Sequence, residues 1–148
     1  MTLEEKIVQK LQEKGIDYEV YEHEPVYTNP TMAEALGVSE AETVKSLVLN
    51  TKEKNMVVLV MPGNKKVDWK AAAKTANTKK VSFAKPEVVS EAVGCEVGCV
   101  PPFGHMTDLP IYVDNDLMRQ TYVYFNPGVH DKSFKVNSRD LKKLCQSK

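Results

Sequence analysis

The stretch Val44-Lys45-Ser46-Leu47-Val48-Leu49-Asn50, followed by Met56-Val57-Val58-Leu59-Val60-Met61, decides the fold of this chain. Both runs are rich in β-branched and aliphatic residues, and the residues between them, Thr51 to Asn55, are suited to a turn. The two runs therefore predict a β-hairpin of central strands. Because they are almost continuously apolar, we expect both faces of this hairpin to be covered.

Helix signals surround the hairpin on both sides. Thr2 and Thr31 each begin a capping box, Pro86 suits the first turn of a helix, and Asp68 and Asn137 are N-cap candidates. Shorter β-rich runs occupy residues 18–21, 111–113, 121–125 and 133–136, with Asp114 to Asp116 as turn residues. Helices and strands interleave without regular alternation. The sequence therefore predicts an α/β fold of the α+β type, a mixed sheet flanked by helices.

Length and composition favour one globular domain over residues 1–148. The chain is 42% hydrophobic and 27% charged, and no apolar run approaches the roughly 18 residues that a membrane helix needs. Its first residues, Met1 to Lys6, show no secretory signal. Three cysteines cannot all pair with one another, which suits a reducing compartment. We therefore expect a cytoplasmic protein with no membrane partner.

Charge is distributed unevenly although the formal net charge is zero. Residues 45–85 contain ten lysines against two acids, Glu53 and Asp68, whereas residues 1–44 contain ten acids and three lysines. A fold that gathers these lysines would present a basic face to the phosphates of a nucleic acid. A solvated, lysine-rich surface is the alternative. The lysines concerned are Lys52, Lys54, Lys65, Lys66, Lys70, Lys74, Lys79 and Lys80.

Residues 94–104, Gly-Cys-Glu-Val-Gly-Cys-Val-Pro-Pro-Phe-Gly, combine free and rigid backbone. Glycine adopts positive φ without strain, and proline fixes φ and holds the preceding residue extended. Such a loop can direct main-chain amides at an anion or at a developing oxyanion. An ordinary surface loop is the alternative. The candidate residues here are Gly98, Cys99, Val100, Pro101, Pro102 and Phe103.

Lys45 interrupts an otherwise apolar strand. A lysine in that position must pair with an acid, reach water or point into a cleft, because burying it alone costs several kcal/mol. Lys45 is therefore a candidate site residue, with a lysine that reaches solvent at the edge of a strand as the alternative. Ser46 is a second candidate, although regular alternation would place it on the opposite face of the strand.

A second candidate loop runs from Asn126 to Asp131. Pro127 and Gly128 predict a tight turn there, and His130 follows as a potential general base or hydrogen-bond donor. Asp131 is placed to orient the imidazole or to cap the local turn. Gly128, His130 and Asp131 are therefore candidates, against the alternative that His130 is an uninvolved loop histidine.

The sequence predicts no metal and no cofactor. Cys95 and Cys99 suggest zinc together with His105 and Cys145, but structural zinc sites usually pair two C-x-x-C hooks and only one spaced pair exists here. The sequence contains no Walker A loop, Rossmann fingerprint, H-E-x-x-H motif or G-x-S-x-G elbow.

Three pieces in this order resemble the YbaK/prolyl-tRNA-synthetase-associated family of aminoacyl-tRNA editing domains. They are Lys45 after the second helix, the G-x-x-x-P match from Gly98 to Pro102, and the late glycine loop from Gly128 to Asp131. The resemblance covers nearly the whole chain. It implies a strongly curved mixed sheet, and an enzyme that hydrolyses the ester between a wrong amino acid and the 3′ adenosine of a tRNA.

The resemblance also implies roles for these residues. Lys45 would hold a phosphate of the tRNA 3′ end, and main-chain amides from Gly98 to Phe103 would hold the ester carbonyl. The substrate's ribose hydroxyl or His130 would position the attacking water, with Cys99 as an alternative covalent nucleophile. The acyl group stays open among alanine, cysteine, serine and threonine.

The partner implied is aminoacyl-tRNA, with an aminoacyl-tRNA synthetase as a second candidate and no DNA. Two other kinds of protein remain as alternatives. One is a non-catalytic tRNA-binding or synthetase-associated module, and the other is a small-molecule binder that uses the amide loop for a carboxylate.

Overall fold

The computed structural model describes residues 2–93, 100–103 and 109–146. Helices and strands interleave throughout these ranges. The helices are α1 (Leu3–Glu13), α2 (Asn29–Leu36), α3 (Trp69–Thr75), α4 (Pro86–Val93) and α5 (Ser138–Gln146). The strands are β1 (Glu19–Glu22), β2 (Val44–Thr51), β3 (Met56–Pro62), β4 (Val81–Phe83), β5 (Ile111–Val113), β6 (Tyr122–Phe125) and β7 (Lys132–Asn137).

The predicted central hairpin is confirmed. Strands β2 and β3 pair antiparallel from Val44 opposite Pro62 to Asn50 opposite Met56, and Lys54 takes a positive φ of 66° in the turn between them. Strand β4 pairs antiparallel with β2, and β5 runs parallel to β3. The resulting four-stranded sheet, in the order β4-β2-β3-β5, is mixed as predicted.

The remaining strands form a second, antiparallel sheet in the order β1-β7-β6. Within the described residues, a parallel bridge between Thr43 and Tyr124 joins it to the first sheet. The predicted α+β fold is confirmed, and the structure adds that the strands divide between two sheets which meet at this bridge.

The main core lies between the two sheets. Val58 and Val60 of β3 and Phe125 and Phe134 of the second sheet are fully buried in one cluster. The opposite face of the hairpin packs Leu49 and other apolar side chains under α3. Successive strand residues point to opposite faces, so the continuous apolar runs supply both layers. The expected coverage of both hairpin faces is confirmed.

Helix starts follow their capping signals, with one correction. At α1 the Thr2 hydroxyl accepts from the Glu5 amide at 3.1 Å, as predicted. The predicted cap at Thr31 is wrong, because α2 begins at Asn29 and Thr28 is its N-cap. Pro30 is tolerated inside the first turn since no intrahelical N–H is required there.

The segment before β6 also differs from its prediction as a plain turn. Asp114 is the N-cap of a 3₁₀ helix over Asn115–Arg119, and its carboxylate accepts from the Asp116 amide at 2.8 Å. None of the helices in the described ranges has the length and apolarity that crossing a membrane requires.

Candidate active site

A cavity of about 410 Å³ lies where β2 meets the beginnings of α2 and α4. Its wall is mixed, with an apolar side and several polar groups, which is the usual character of a ligand site. The apolar lining includes Met32, Val44, Leu47, Val48, Phe83, Ala84, Pro86, Val89 and Val100, and the polar lining includes Tyr27, Thr28, Asn29, Lys45, Ser46 and Asn126.

Lys45 brings a half-buried cation to this cavity. Burial lowers the pKa of its ammonium below the ordinary lysine value, and the Glu40 carboxylate partly offsets that effect. Within the described residues the Lys45 ammonium has no ion pair closer than 4.0 Å. A cation so placed can bind an anion that enters the cavity.

Ser46 also lines this cavity, and the unbroken register of β2 with β3 agrees with the expected alternation of Lys45 and Ser46 along the strand. Its hydroxyl oxygen is buried and has no hydrogen-bond partner among the residues that the structure describes. A buried hydroxyl without a partner loses the hydrogen bonds that water would give it, which costs about 1–3 kcal/mol. Whether Ser46 binds substrate stays a prediction.

A hydrogen-bonded junction fixes the start of α2 beside β2. The Asn29 amide nitrogen donates to the Thr43 hydroxyl at 3.0 Å and to the Val44 carbonyl at 3.3 Å. The Thr43 hydroxyl in turn donates to the Glu40 carbonyl at 2.7 Å. Gly63 fits against this junction only because it has no side chain, since a Cβ there would collide with the Thr43 hydroxyl. The junction therefore positions the strand residues that precede Lys45.

The second half of the Gly/Pro segment packs against the protein beside the cavity. Val100 lines the cavity, Pro101 and Pro102 are buried, and Phe103 is fully buried against Phe125 at a ring distance of 5.5 Å. Any contact of Phe103 with substrate therefore has to come from its main chain. Gly98 and Cys99 lie outside the described residues, as do Cys95 and His105 of the zinc hypothesis.

A buried thiol forms a hydrogen bond to the segment that contains Pro101 and Pro102. The Cys145 sulfur of α5 donates to the Pro102 carbonyl at 3.5 Å. Burial raises the pKa of the Cys145 thiol to about 12, so it stays protonated and able to donate. No group of three or more metal-ligating side chains occurs in the part of the chain that the structure describes.

His130 is separated from the cavity by the aromatic ring of Tyr27. Its imidazole packs against Tyr27, a lining residue, with 4.3 Å between ring centroids. Its Nδ1 lies 3.1 Å from the Val26 carbonyl, which can only accept, so Nδ1 carries the proton and the lone pair of the neutral ring is on Nε2. Asp131 is exposed, and its role in orienting the ring stays a prediction.

Gly128 shapes the loop that carries His130. It takes a φ of 95°, and a Cβ there would lie 3.2 Å from the Cβ of Leu3 in α1. Glycine thus allows both the turn and the close approach to α1. A direct contact of Gly128 with substrate stays a prediction.

Sequence reasoning missed several lining residues, chiefly Tyr27, Asn29, Phe83 and Asn126. These residues lie on three separate segments, and only tertiary structure brings them together. One signal was present in the sequence: Thr28-Asn29-Pro30 is a helix start, and the beginning of a helix is a common place for polar ligands.

Several known proteins are similar to this chain over 70% of its length or more. The Ser/Thr-tRNA deacylase ProXp-y of Escherichia coli is 27% identical over 96% of this chain and 87% of its own length. A crystal structure of a protein regarded as a trans-editing enzyme for prolyl-tRNA synthetase superposes with a TM-score of 0.86, at 27% identity over 100% of this chain and 94% of that one. A proline–tRNA ligase of Desulfitobacterium hafniense is 29% identical over 70% of this chain and 18% of the ligase.

The predicted activity of an editing deacylase, hydrolysis of the ester in mischarged aminoacyl-tRNA, is confirmed by these matches. The model of the aminoacyl-tRNA editing domain matches residues 23–144. That range contains the hairpin, the cavity with Lys45 and the loop with His130, so this chain belongs to the aminoacyl-tRNA editing domain family.

Proposed function

We propose that this chain removes wrongly attached small amino acids from tRNA in the cytoplasm, and that the cavity beside Lys45 holds the aminoacylated 3′ nucleotide. The observation that carries this assignment is the half-buried Lys45 ammonium, which meets the cavity without an acidic partner closer than 4.0 Å among the described residues. The phosphate next to the terminal nucleoside is an anion that every aminoacyl-tRNA brings to such a site.

The size of the cavity favours a small acyl group. Its volume of about 410 Å³ lies near the lower end of the range of roughly 300–1,000 Å³ for ligand pockets. A nucleoside fills much of such a space, which leaves room for alanine, cysteine, serine or threonine rather than for an aromatic side chain. The name of the Escherichia coli relative, a Ser/Thr-tRNA deacylase, supports the hydroxyl-bearing pair.

Main-chain N–H groups within residues 98–103, other than at Pro101 and Pro102, which have none, are assigned to the ester carbonyl. Two contacts support this assignment. Val100 lines the cavity, and the Cys145 thiol and the core around Phe103 hold the following residues in place. Donors that are fixed before the reaction stabilise an oxyanion without reorganising.

The attacking water is positioned either by the ribose hydroxyl of the substrate or by His130. The proton on Nδ1 of His130 favours Nε2 as the basic nitrogen, and the Tyr27 ring connects the imidazole to the cavity wall. A His130→Gln variant distinguishes the two routes. Loss of an ionisation from the pH–rate profile assigns the base to His130, whereas an unchanged profile assigns it to the substrate.

A deacylation panel tests the proposal as a whole. Purified protein is mixed with tRNAs that carry alanine, cysteine, serine, threonine, proline or phenylalanine, and the loss of aminoacyl-tRNA is followed against an enzyme-free control. We expect hydrolysis of at least one small aminoacyl ester and little effect on phenylalanyl-tRNA. Faster hydrolysis of phenylalanyl-tRNA than of every small ester would contradict the assignment of the cavity.

A synthetase is proposed as a second partner. The similar segment inside a proline–tRNA ligase supports this idea, because a domain that is covalently joined in one protein often acts beside the same partner in another. Copurification with prolyl-tRNA synthetase, with and without tRNA, tests it.

A further inference from the structure

A wide open groove lies along the edge of the four-stranded sheet where β4 is the outer strand. It is bounded by β4, by α3 and by the turn between β2 and β3, and its volume is about 1160 Å³. Five lysines line it: Lys52, Lys70, Lys74, Lys79 and Lys80. We call this feature the lysine groove.

The lysine groove carries a strong excess of positive charge. Five ammonium groups face one carboxylate, that of Glu53, which accepts a hydrogen bond from the Thr78 hydroxyl at 2.8 Å. Among the described residues none of the five lysines forms an ion pair. Lys65, by contrast, is neutralised by Asp114 and Asp116 at 2.6 and 3.0 Å. The groove therefore keeps its positive charge available for an anionic partner.

Two exposed aromatic side chains lie among these lysines. Trp69 begins α3 and is 41% exposed, and Phe83 ends β4 and is 59% exposed. Their rings meet edge to face at 5.0 Å and 87°. Exposed aromatic faces beside a basic groove are the combination with which proteins bind single-stranded nucleic acid, because bases stack on the rings while lysines contact the phosphates.

Phe83 connects the lysine groove to the cavity, since it lines both. A strand whose last nucleotide occupies the cavity would therefore pass over Phe83 into the groove. Resting on the function proposed above, we propose that the lysine groove binds the unpaired nucleotides preceding the 3′-terminal adenosine of the tRNA. Their bases stack on Phe83 and Trp69, and their phosphates contact the five lysines.

Trp69 provides a direct test, because it is the only tryptophan in the sequence. Wild-type protein is titrated with a short single-stranded RNA that ends in CCA and carries no amino acid, while tryptophan emission is recorded. We expect saturable quenching that weakens with salt, with a log–log slope of about −0.7 for each phosphate contacted. No quenching at low salt overturns the proposal. Equal affinity for a blunt RNA duplex, or for inorganic polyphosphate, overturns the part that assigns stacked, single-stranded bases.

Variants locate the binding. Lys70→Glu and Lys74→Glu should each weaken the RNA at least tenfold, and Phe83→Leu should weaken it without changing the salt slope. The matched control is Lys143→Glu, an exposed lysine on α5, which should bind RNA like the wild type. Equal weakening by Lys143→Glu would mean that general charge, not this groove, accounts for the affinity.

The titration is independent of turnover, so failure of the groove and failure of the proposed function can be told apart. If the protein deacylates tRNA, Lys74→Glu should raise KM for aminoacyl-tRNA with little change in kcat, as expected for lost binding. Quenching without deacylation by the wild type would leave the groove in place and remove the proposed reaction. Deacylation without quenching would leave the proposed reaction in place and remove the proposed role of the lysine groove.

Discussion

At neutral pH the partly buried ammonium of Lys45 destabilises the fold that contains it. Its pKa is lowered chiefly by burial, so between the folded and unfolded pKa values the unfolded chain binds more protons, and stability rises with pH in that window. The destabilisation is fully present below the folded pKa, and it disappears as pH rises toward the ordinary lysine value of about 10.4. A residue that costs stability and has no ion-pair partner in the described part of the chain is expected to serve function.

Replacement of Lys45 by methionine should therefore separate stability from activity. Lys45→Met keeps most of the side-chain volume and removes the charge, so the melting temperature at pH 7 should rise. Deacylation should fall at least tenfold, which is about 1.4 kcal/mol of transition-state stabilisation. The two measurements are thermal unfolding and single-turnover deacylation.

Lys143→Met is the control for this change, because Lys143 is exposed on α5. Lys143→Met should change neither the melting temperature nor the rate of deacylation. The advantage of Lys45→Met in melting temperature should also shrink as the pH is raised toward 10. Full turnover by a folded Lys45→Met protein would remove Lys45 from the active site.

Two serines with buried hydroxyl oxygens should respond in opposite ways to loss of those hydroxyl groups. Ser46 has no hydrogen-bond partner for its buried oxygen within the described residues, so Ser46→Ala should leave the free energy of unfolding unchanged or raise it. Ser133 is fully buried, and its hydroxyl bonds His23 Nε2 at 2.8 Å, so Ser133→Ala should lower stability by about 1 kcal/mol. Urea unfolding of both variants measures the difference, and a larger loss for Ser46→Ala would show that its hydroxyl is bonded after all.

Among the elements, the junction of α2 with β2 is the one that the cavity depends on. Gly63→Ala places a methyl group against the Thr43 hydroxyl and the Asn29 side chain. The overpacking should cost about 1–3 kcal/mol, and it should also reduce deacylation, since Asn29 and the start of β2 both line the cavity. Urea unfolding and deacylation of the folded fraction measure the two effects.

Gly15→Ala is the comparison, because Gly15 has a φ of 65° and open space around it. Strain should lower its stability by about 1 kcal/mol, while the activity of the folded protein stays that of the wild type. Equal activity in both variants would mean that the junction does not shape the site.

Local sequence signals predicted most helices and strands. They failed where the adjacent residues did not distinguish between alternative helix starts or were too few to show a strand pattern. The hairpin of β2 and β3 and the capping box of α1 follow from period and cap chemistry alone. The start of α2 was misplaced because Thr28 and Thr31 are both competent caps that bond each other's backbone, with Thr28 N–H donating to Thr31 and Thr31 N–H donating to Thr28 at 3.3 Å. Strand β4 was missed because it is only three residues long, which is too short to show an alternation of apolar and polar side chains.

The candidate site was only partly predictable for a related reason. Lys45 was identified because a lone lysine in an apolar strand is locally anomalous. The continuous register of β2 with β3 supports the alternation expected for Ser46, but alternation alone does not show that a cavity reaches this residue. Asn126 has no anomaly of its own, and Asn29 offers only the general signal of a helix start. Their importance depends on contacts across the whole molecule, which a single sequence does not encode in any short window.

On the scale of the whole molecule, Cys145 reports whether the fold is closed. The residue is 3% exposed within the core that both sheets share, and burial raises the pKa of its thiol to about 12. Since the thiolate is the reactive form, iodoacetamide should fail to label Cys145 in native buffer at pH 8. Labelling should appear along the urea unfolding curve.

Peptide mass mapping distinguishes Cys145 from Cys95 and Cys99 in this experiment. Fast native labelling of Cys145 would mean that α5 opens independently of the rest of the protein. The same labelling repeated with bound RNA gives the change in opening free energy directly.

Besides sharing the main core, the two sheets are joined within the described residues by a backbone bridge between Thr43 and Tyr124. The cavity spans the same seam, from β2 on one side to Asn126 after β6 on the other. A ligand in the cavity contacts both sheets at once. Binding to the folded state alone stabilises it by RT ln(1 + [L]/Kd), and here the ligand adds contacts at the seam where two separately hydrogen-bonded sheets meet. Amide hydrogen exchange at the seam should therefore slow more than exchange inside either sheet, so that substrate occupancy is recorded in the backbone as a local change in solvent exchange.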